Sequence, residues 1–157
     1  QINYKAGNTI ELNDISYELL QFHFHSPSEH TINGEHFEME IHLVHKNMNN
    51  ELGVIGLLVN EGTTNPTLES IIANMPKDEG SISLTDETNV QDLFPVNKAY
   101  YQYSGSLTTP PCSEGVYWVV LETPITASAE QIGAFNALIK GNNRPTQPIN
   151  QRTLFKH

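Results

Sequence analysis

The sequence predicts a mainly β protein of the α+β type, with few helices. Short runs that alternate apolar and polar residues recur along the chain, turn residues separate these runs, and one stretch near the C-terminus has clear helical spacing. The 157 residues are 38% hydrophobic and 17% charged and include 10 Gly and 9 Pro, which is typical of a globular chain with many turns. We therefore expect one domain, residues 1–157, built around a single core.

The first apolar runs, Thr9–Leu12 and Tyr17–Leu20, predict a β-hairpin. Asn13 and Asp14 lie between the two runs and are residues that favour tight turns. The second strand should end near His25, because a proline follows two residues later and removes a backbone donor.

Asn33 and Gly34 predict a second tight turn, after which residues 37–45 resume a period of two. On this strand His42 shares a face with Glu40. Burial of the histidine would therefore bury the carboxylate with it.

The remaining elements follow from the same signals. They are a central strand over 51–59, a short helix over 67–74, a loop with one short strand over 76–97, a strand that ends at the Pro-Pro pair 110–111, a strand over 115–121 and a helix after Ser128. Ser128 and Gln131 have the spacing of a capping box, and Gly141 should end this last helix.

Charge and composition exclude several classes of partner. The chain has 8 Lys+Arg against 18 Asp+Glu, a formal net charge of -10, which makes binding to nucleic acid unfavourable. No run of apolar residues is long enough to predict a membrane span. Cys112 is the one cysteine in the sequence, so no intrachain disulfide is expected.

Three histidines predict a metal site. His23 and His25 are two residues apart on one strand and so share a face, and a neighbouring strand carrying His42 would complete a three-nitrogen site of the kind that binds catalytic zinc. A His-x-His pair alone is also typical of ordinary core or surface histidines. The metal reading gains support because Gln21 and Glu40 each precede a proposed ligand by two residues, where their oxygens can accept its second N–H.

Five segments, 21–25, 28–30, 40–45, 103–118 and 142–148, closely resemble an α-class carbonic anhydrase, specifically the bacterial secreted branch. The likeness extends from about residue 7 to the end of the sequence. It implies a central, twisted, mixed but largely antiparallel sheet with short peripheral helices. It further implies a zinc lyase that reversibly hydrates carbon dioxide to bicarbonate and a proton by zinc-bound hydroxide, in the periplasm or secreted.

The resemblance also implies roles for individual residues. Zinc would be bound by His23, His25 and His42, and the second shell would be Gln21, Glu40 and the backbone carbonyl of Asn142. Thr108 would accept the hydrogen bond of the hydroxide and donate its own to Glu29, with His30 in the network around Glu29. The pocket for carbon dioxide would have an apolar wall and a polar side: Val44, Val54, Leu107, Val116 and Trp118, with Thr109 on the polar side.

The sequence departs from the family at its N-terminus. Relatives have a further N-terminal region that includes a proton-shuttle histidine, which these 157 residues lack. We therefore expect zinc binding but slow turnover, together with an unpaired Cys112. We also expect exposed sheet edges to favour a homodimer.

Two alternatives remain at this stage. One is an acatalytic relative that keeps the fold and the zinc for interaction with another molecule. The other is a cupin-type metalloprotein, because the spacing His23-x-His25-x3-Glu29 matches the first motif of that family, with Glu29 as a ligand.

Overall fold

The computed structural model describes residues 1–76, 80, 82 and 88–157. The strands are β1 (Ile2–Asn3), β2 (Thr9–Leu12), β3 (Ile15–His25), β4 (Thr31–Ile32), β5 (Glu35–His36), β6 (Met39–Lys46), β7 (Leu52–Glu61), β8 (Tyr100–Ser106), β9 (Glu114–Leu121), β10 (Ile125–Ala127) and β11 (Phe155–Lys156). The helices are α1 (Pro66–Ala73) and α2 (Ala129–Ile139), and a 3-10 helix covers Val90–Leu93.

Nine strands form one sheet, in the order β1-β3-β6-β7-β9-β8-β11, with β2 on β3 and β10 on β7. Most neighbours in the sheet are antiparallel, whereas β7 runs parallel to both β9 and β10. The remaining two strands, β4 and β5, pair with each other. The predicted fold class, a mixed but largely antiparallel sheet with few helices, is confirmed.

Both predicted tight turns form as their residues require. Asn13 and Asp14 have φ angles of 50° and 61° between β2 and β3, which is the left-handed conformation of a type I′ hairpin. Asn33 and Gly34 have φ angles of 55° and 83° between β4 and β5. Strand β3 ends at His25, as predicted.

The two faces of the sheet are buried in different ways. Met39, Ile41 and Leu43 of β6 belong to the larger core, which the side chains of both helices also enter. Val44, on the opposite face of the same strand, packs in a second and smaller apolar cluster. The period of two in β6 therefore directs His42, which has the same parity as Val44, away from the helices.

The two helices begin at caps that also connect them. The side chain of Asn65 accepts the backbone N–H groups of Thr67 and Leu68 at the start of α1. Ser128 and Gln131 form the predicted capping box at the start of α2. The Gln131 amide also bonds both the N–H and the carbonyl of Asn65, at 2.9 and 2.8 Å. One buried amide thus fixes the relative position of the two helix starts.

The segment 76–97 was expected to be a loop with one short strand. Its described residues form a loop except for the 3-10 helix Val90–Leu93, and the expected short strand could lie only among 77–79, 81 and 83–87, outside the described residues. Val90 and Leu93 point into the larger core, which explains why this piece is ordered as a turn of helix. Neither α1 nor α2, the α-helices of the described residues, is long and apolar enough to cross a bilayer.

The buried ring of His45 should make the stability of the fold depend on pH. His45 is 2% exposed, its Nδ1–H donates to the carbonyl of Leu43, and burial lowers its pKa from 6.5 to about 4. As the pH falls, the unfolded chain takes up the proton first, so the stabilisation is complete above pH 6.5 and is lost between 6.5 and 4. Between pH 7 and pH 5 this side chain should lower the free energy of unfolding by about 2 kcal/mol.

The measurement is urea unfolding of the wild type and of His45→Asn at both pH values, in the presence of a chelator. Asparagine keeps a donor near the position of Nδ1 but does not titrate, and the other histidines are the same in both proteins. The wild type should lose about 2 kcal/mol more than the variant on acidification. Equal losses in the two proteins would contradict this account of His45.

Candidate metal centre

The structure brings the three predicted ligands together. His23 and His25 lie on one face of β3, and His42 on β6 is directly opposite His23 in the antiparallel register. One nitrogen from each ring lies within 4.8 Å of the others. The ring centroids are 4.6 to 5.3 Å apart.

The surroundings of His23 and His25 favour the neutral form of these two rings. Burial and the neighbouring His42 and His25 rings lower the pKa of His23 to about 3, and burial with the adjacent His42 ring also lowers the pKa of His25. At neutral pH the nitrogens therefore have lone pairs available to a metal ion. His25 Nε2 is buried and has no hydrogen-bond partner among the described residues. Three convergent imidazoles with such an atom fit a zinc ion in their donor type and number.

As predicted, an oxygen on the same strand face orients two of the rings. Gln21 Oε1 lies 2.8 Å from His23 Nδ1, and Glu40 Oε1 lies 2.8 Å from His42 Nε2. Because both oxygens act as acceptors, the bonded nitrogens carry the hydrogen and the other nitrogen of each ring has the lone pair.

The third orienting contact, from His25 Nδ1 to the carbonyl of Asn142, is longer at 3.4 Å. Asn142 is itself fixed to the end of β3. Its side chain accepts the N–H of Ser26 and donates to the carbonyl of Phe24, both at 2.9 Å. The loop that follows α2 is thereby held beside the second histidine.

Glu40 is fully buried and accepts four hydrogen bonds. Its Oε1 bonds His30 Nδ1 at 2.6 Å as well as His42 Nε2, and its Oε2 accepts the backbone N–H groups of Glu29 and His30 at 2.9 and 2.8 Å. Burial alone would raise the pKa of Glu40, but the His30 and His42 rings hold it well below the usual value. Burial opposes protonation of His30, yet the Glu40 carboxylate gives this ring a raised pKa.

The position of His30 corrects one prediction. Its side chain was expected in the network of Glu29, but it bonds Glu40 and, at 2.6 Å, the hydroxyl of Tyr103. The reason is that the loop after β3 places the His30 ring over the carboxylate of β6, whereas the Glu29 side chain points to the loop after α2. His30, Glu40 and His42 also lie close enough to hold a metal, but both histidines are already hydrogen-bonded to Glu40.

Glu29 is buried next to the histidines. Its Oε1 accepts the backbone N–H of Arg144 at 2.7 Å and lies 3.5 Å from His25 Nδ1, while its Oε2 lies 3.8 Å from His42 Nδ1. Oε2 has no hydrogen-bond partner in the described part of the chain. The expected bond from Thr108 is therefore not formed, although Thr108 and Glu29 line the same cavity of about 1320 Å³.

The geometry does not favour Glu29 as a metal ligand. The group of possible ligand atoms within 4.8 Å of one another comes from the three histidines and does not include a Glu29 oxygen. One carboxylate oxygen is engaged by the Arg144 amide. The geometry thus gives no support to the cupin-type alternative.

The predicted apolar wall lies on the same face of the sheet as His42. Val44, Val54, Val116 and Trp118 are buried in one cluster, and Leu107 packs against it. Thr109 differs from expectation, because it is exposed and is not part of the cavity lining that includes Thr108. The turn after Thr108, in which Cys112 N–H bonds the carbonyl of Thr109, directs this residue outward.

Sequence reasoning missed Gly56 and Tyr103. Gly56 of β7 lies opposite His42, and a Cβ at this position would be 2.9 Å from Glu40 Oε1. A glycine within a buried apolar run is the signal for such a close approach. Tyr103 is partly buried on β8 and gave no local signal that separates it from an ordinary strand tyrosine.

Comparison with known proteins agrees with the resemblance seen in the motifs. The family model described as eukaryotic-type carbonic anhydrase matches residues 2–157. The chain is 45% identical to a carbonic anhydrase of Pectobacterium carotovorum and 41% identical to one of Nostoc sp. (strain PCC 7120), each over 99% of this chain. It spans 64% and 60% of the length of these relatives.

Among solved structures, a hyperthermostable carbonic anhydrase from an active hydrothermal vent chimney superposes with a TM-score of 0.95. That protein is 47% identical, and the match covers 98% of this chain and 70% of the other. With a family model that matches nearly every residue and relatives above 40% identity, the chain belongs to the eukaryotic-type, or α-class, carbonic anhydrase family.

Proposed function

We propose that His23, His25 and His42 bind zinc and that the chain reversibly hydrates carbon dioxide to bicarbonate and a proton. The observation that carries this proposal is the convergence of three imidazoles. One of them, His25, has a buried Nε2 without a hydrogen-bond partner among the described residues. A bound zinc ion would supply a Lewis acid at which water loses a proton near neutral pH. Because the chain spans less than two thirds of its curated relatives, the activity of the whole protein is part of the proposal.

In this proposal Thr108 and Glu29 orient the attacking oxygen. Glu29 Oε2, which lacks a partner in the described chain, would accept the hydroxyl hydrogen of Thr108. A threonine hydroxyl has one donor. Once Thr108 has given its hydrogen to the carboxylate, its oxygen acts only as an acceptor, so it selects a nucleophile that presents a hydrogen to it. The lone pair of that nucleophile is then directed toward the substrate carbon.

The apolar cluster around Val44, Val54 and Trp118 would receive carbon dioxide, which is neutral and has little affinity for polar groups. The backbone N–H of Thr108 would meet one substrate oxygen as negative charge develops on it. Bicarbonate is charged and would leave through the polar side of the cavity.

We also propose that proton export limits the turnover of this 157-residue chain. His30 lines the cavity, but both its ring nitrogens are bonded. His36 is bonded to Ser28 outside the site, His45 faces the larger core, and His157 stacks on Tyr100. No other histidine is present to relay a proton from the zinc site.

We also propose a single domain, a periplasmic or secreted location and a homodimer. A single domain is supported by one family match over residues 2–157. A periplasmic or secreted location is proposed from the likeness to bacterial relatives. A homodimer is supported by the exposed apolar side chains Leu154 and Phe155, the latter on the terminal strand β11 of the sheet, and sedimentation analysis would test it.

The ligand set is tested with His42→Ala. The variant should lose stoichiometric zinc, because two imidazoles with no carboxylate form too poor a site. His36→Ala removes an exposed histidine of the same region and is the matched control. Zinc content by mass spectrometry should be about one ion per chain for the wild type and the control.

Hydration of carbon dioxide is measured on the same three proteins by stopped-flow pH change, with and without a strong chelator. The wild type and His36→Ala should exceed the buffer rate and lose the excess on chelation. Unchanged zinc in His42→Ala would refute the three-histidine site. A zinc-loaded wild type no faster than buffer would refute the enzyme and favour the acatalytic alternative.

The role of Thr108 is tested by Thr108→Val against Thr109→Val. Valine preserves the shape of the side chain but removes the hydroxyl that would orient the nucleophile, so kcat/KM should fall by about 100-fold at position 108. Position 109 is exposed and should change little. Zinc content should be the same in both variants, and equal activities would contradict the proposed orientation.

Proton export is tested by varying the buffer. If it limits turnover, the rate should rise with the concentration of imidazole at fixed pH and ionic strength, because the buffer accepts the proton directly. The rate should reach its maximum only at high buffer concentration. A rate that does not change with buffer concentration would show that another step limits turnover.

A further inference from the structure

A chain of hydrogen bonds leads from the cavity wall to the third proposed zinc ligand. The hydroxyl of Tyr103 lies 2.6 Å from His30 Nε2, His30 Nδ1 lies 2.6 Å from Glu40 Oε1, and the same oxygen lies 2.8 Å from His42 Nε2. The Tyr103 phenol lines the large cavity, whereas Glu40 and His42 are almost completely inaccessible.

The chemistry of the groups sets the direction of each bond. The Glu40 carboxylate only accepts, so His30 Nδ1 and His42 Nε2 both carry a hydrogen. In a neutral His30 ring Nε2 is then bare, and the Tyr103 hydroxyl must donate to it. With a neutral His30, each hydrogen bond in this chain is therefore donated in the direction of Glu40, from Tyr103 through His30 on one side and from His42 on the other. His42 Nδ1 is left as the nitrogen that faces the other two histidines.

Packing fixes the Tyr103 hydroxyl at the head of this chain. Its ring is parallel to that of Trp118, at an angle of 7° and a centroid distance of 6.2 Å. A Cβ at Gly105 would lie 2.6 Å from Tyr103 Cε2, so the ring occupies space that only glycine leaves. Trp118 in turn packs edge-to-face with both His30 and His42, at ring-centroid distances of 4.9 and 4.8 Å.

Glu40 is confined from the opposite side. The position of a Cβ at Gly56 lies 2.9 Å from Oε1, so β7 passes directly against the carboxylate. His30 is the side chain that bonds Oε1 in competition with His42. A shift of the His30 ring should therefore change the position of Glu40 Oε1, the oxygen to which His42 is also bonded.

We infer that Tyr103 is a positioning residue for the metal centre: its hydroxyl fixes the ring and tautomer of His30, which fixes the Glu40 carboxylate and thereby directs Nδ1 of His42 to the metal. This inference rests on the proposed three-histidine zinc site. Loss of the hydroxyl leaves His30 Nε2 unbonded and frees the ring to rotate. Zinc should then dissociate faster without any change in its three ligands.

The experiment compares Tyr103→Phe with Tyr101→Phe in the full chain. Tyr101 lies on the same strand and lines the same cavity, but its hydroxyl donates to Glu122 at 3.2 Å, away from the histidines. Zinc release to a chelator should be about 10-fold faster in Tyr103→Phe, at the low end of what loss of a direct second-shell partner costs. Tyr101→Phe should match the wild type.

Nitrogen-15 spectra of the histidine rings provide a readout that a general loss of stability would not produce. In the wild type at pH 8.5, His30 should carry its hydrogen on Nδ1 with a hydrogen-bonded Nε2, and His42 should carry its hydrogen on Nε2. Tyr103→Phe should shift the Nε2 resonance of His30 toward that of a free ring nitrogen and perturb His42. Tyr101→Phe should leave both rings unchanged.

Equal zinc release and equal spectra in the two variants would overturn the inference while leaving the zinc site intact. A wild-type spectrum in which His30 carries its hydrogen on Nε2 alone would also overturn it, and this result needs no variant to fold. A wild type that binds no zinc would instead refute the proposed function, and the spectra of the metal-free chain would still test the hydrogen-bond directions.

If Tyr103→Phe does not fold, Gly56→Ala displaces Glu40 from the other side, and Gly133→Ala is its control because a Cβ there has no atom within 4 Å. Faster zinc release in Gly56→Ala alone would support the clamped carboxylate. Equal release in the two glycine variants would overturn it.

Discussion

The buried carboxylate of Glu40 is the constraint on which the site depends. A charge removed from water costs several kcal/mol unless it is paired and fully hydrogen-bonded. Four donors meet this requirement: two ring nitrogens, from His30 and His42, and the backbone N–H groups of Glu29 and His30. Two of these donors belong to the backbone that follows β3. The carboxylate on β6 therefore fixes the course of that loop, and with it the positions of Glu29 and His30.

The same residue connects the fold to the chemistry because of strand parity. Glu40, His42 and Val44 share one face of β6, and Met39, Ile41 and Leu43 share the other. A slip of one residue would place Leu43 at the proposed metal site and bury Glu40 among the side chains of the helices. The apolar packing of the larger core thus specifies the register that brings His42 opposite His23.

Sequence reasoning located what depends on short spacing. The His-x-His pair, the Gln21 and Glu40 oxygens two residues before a proposed ligand, the hairpin turn at Asn13 and the capping box at Ser128 are all local patterns with a fixed geometric meaning. The contacts that escaped it join residues far apart in the chain, such as Arg144 N–H to Glu29 and Tyr103 to His30. Their partners are decided by how the loops pack. The family resemblance implied that His30 joins the network of Glu29 and that Thr109 lines the cavity, and in both cases the packing of the loops decides the actual contacts.

Two buried atoms of the site, His25 Nε2 and Glu29 Oε2, have no partner among the described residues. An unsatisfied buried polar atom costs about 1 to 3 kcal/mol, and the chain keeps both where the proposed zinc and the Thr108 hydroxyl would bond them. Burial also lowers the pKa of His23 and His25, so a cost of keeping these two rings unprotonated appears only as the pH falls below the usual value of 6.5. A ligand that binds the folded state alone recovers such a cost as stability. In the proposed site, zinc binding would therefore stabilise the folded state, and the hydrogen bonds from His30 and His42 to Glu40 would hold the His42 ring in position for it.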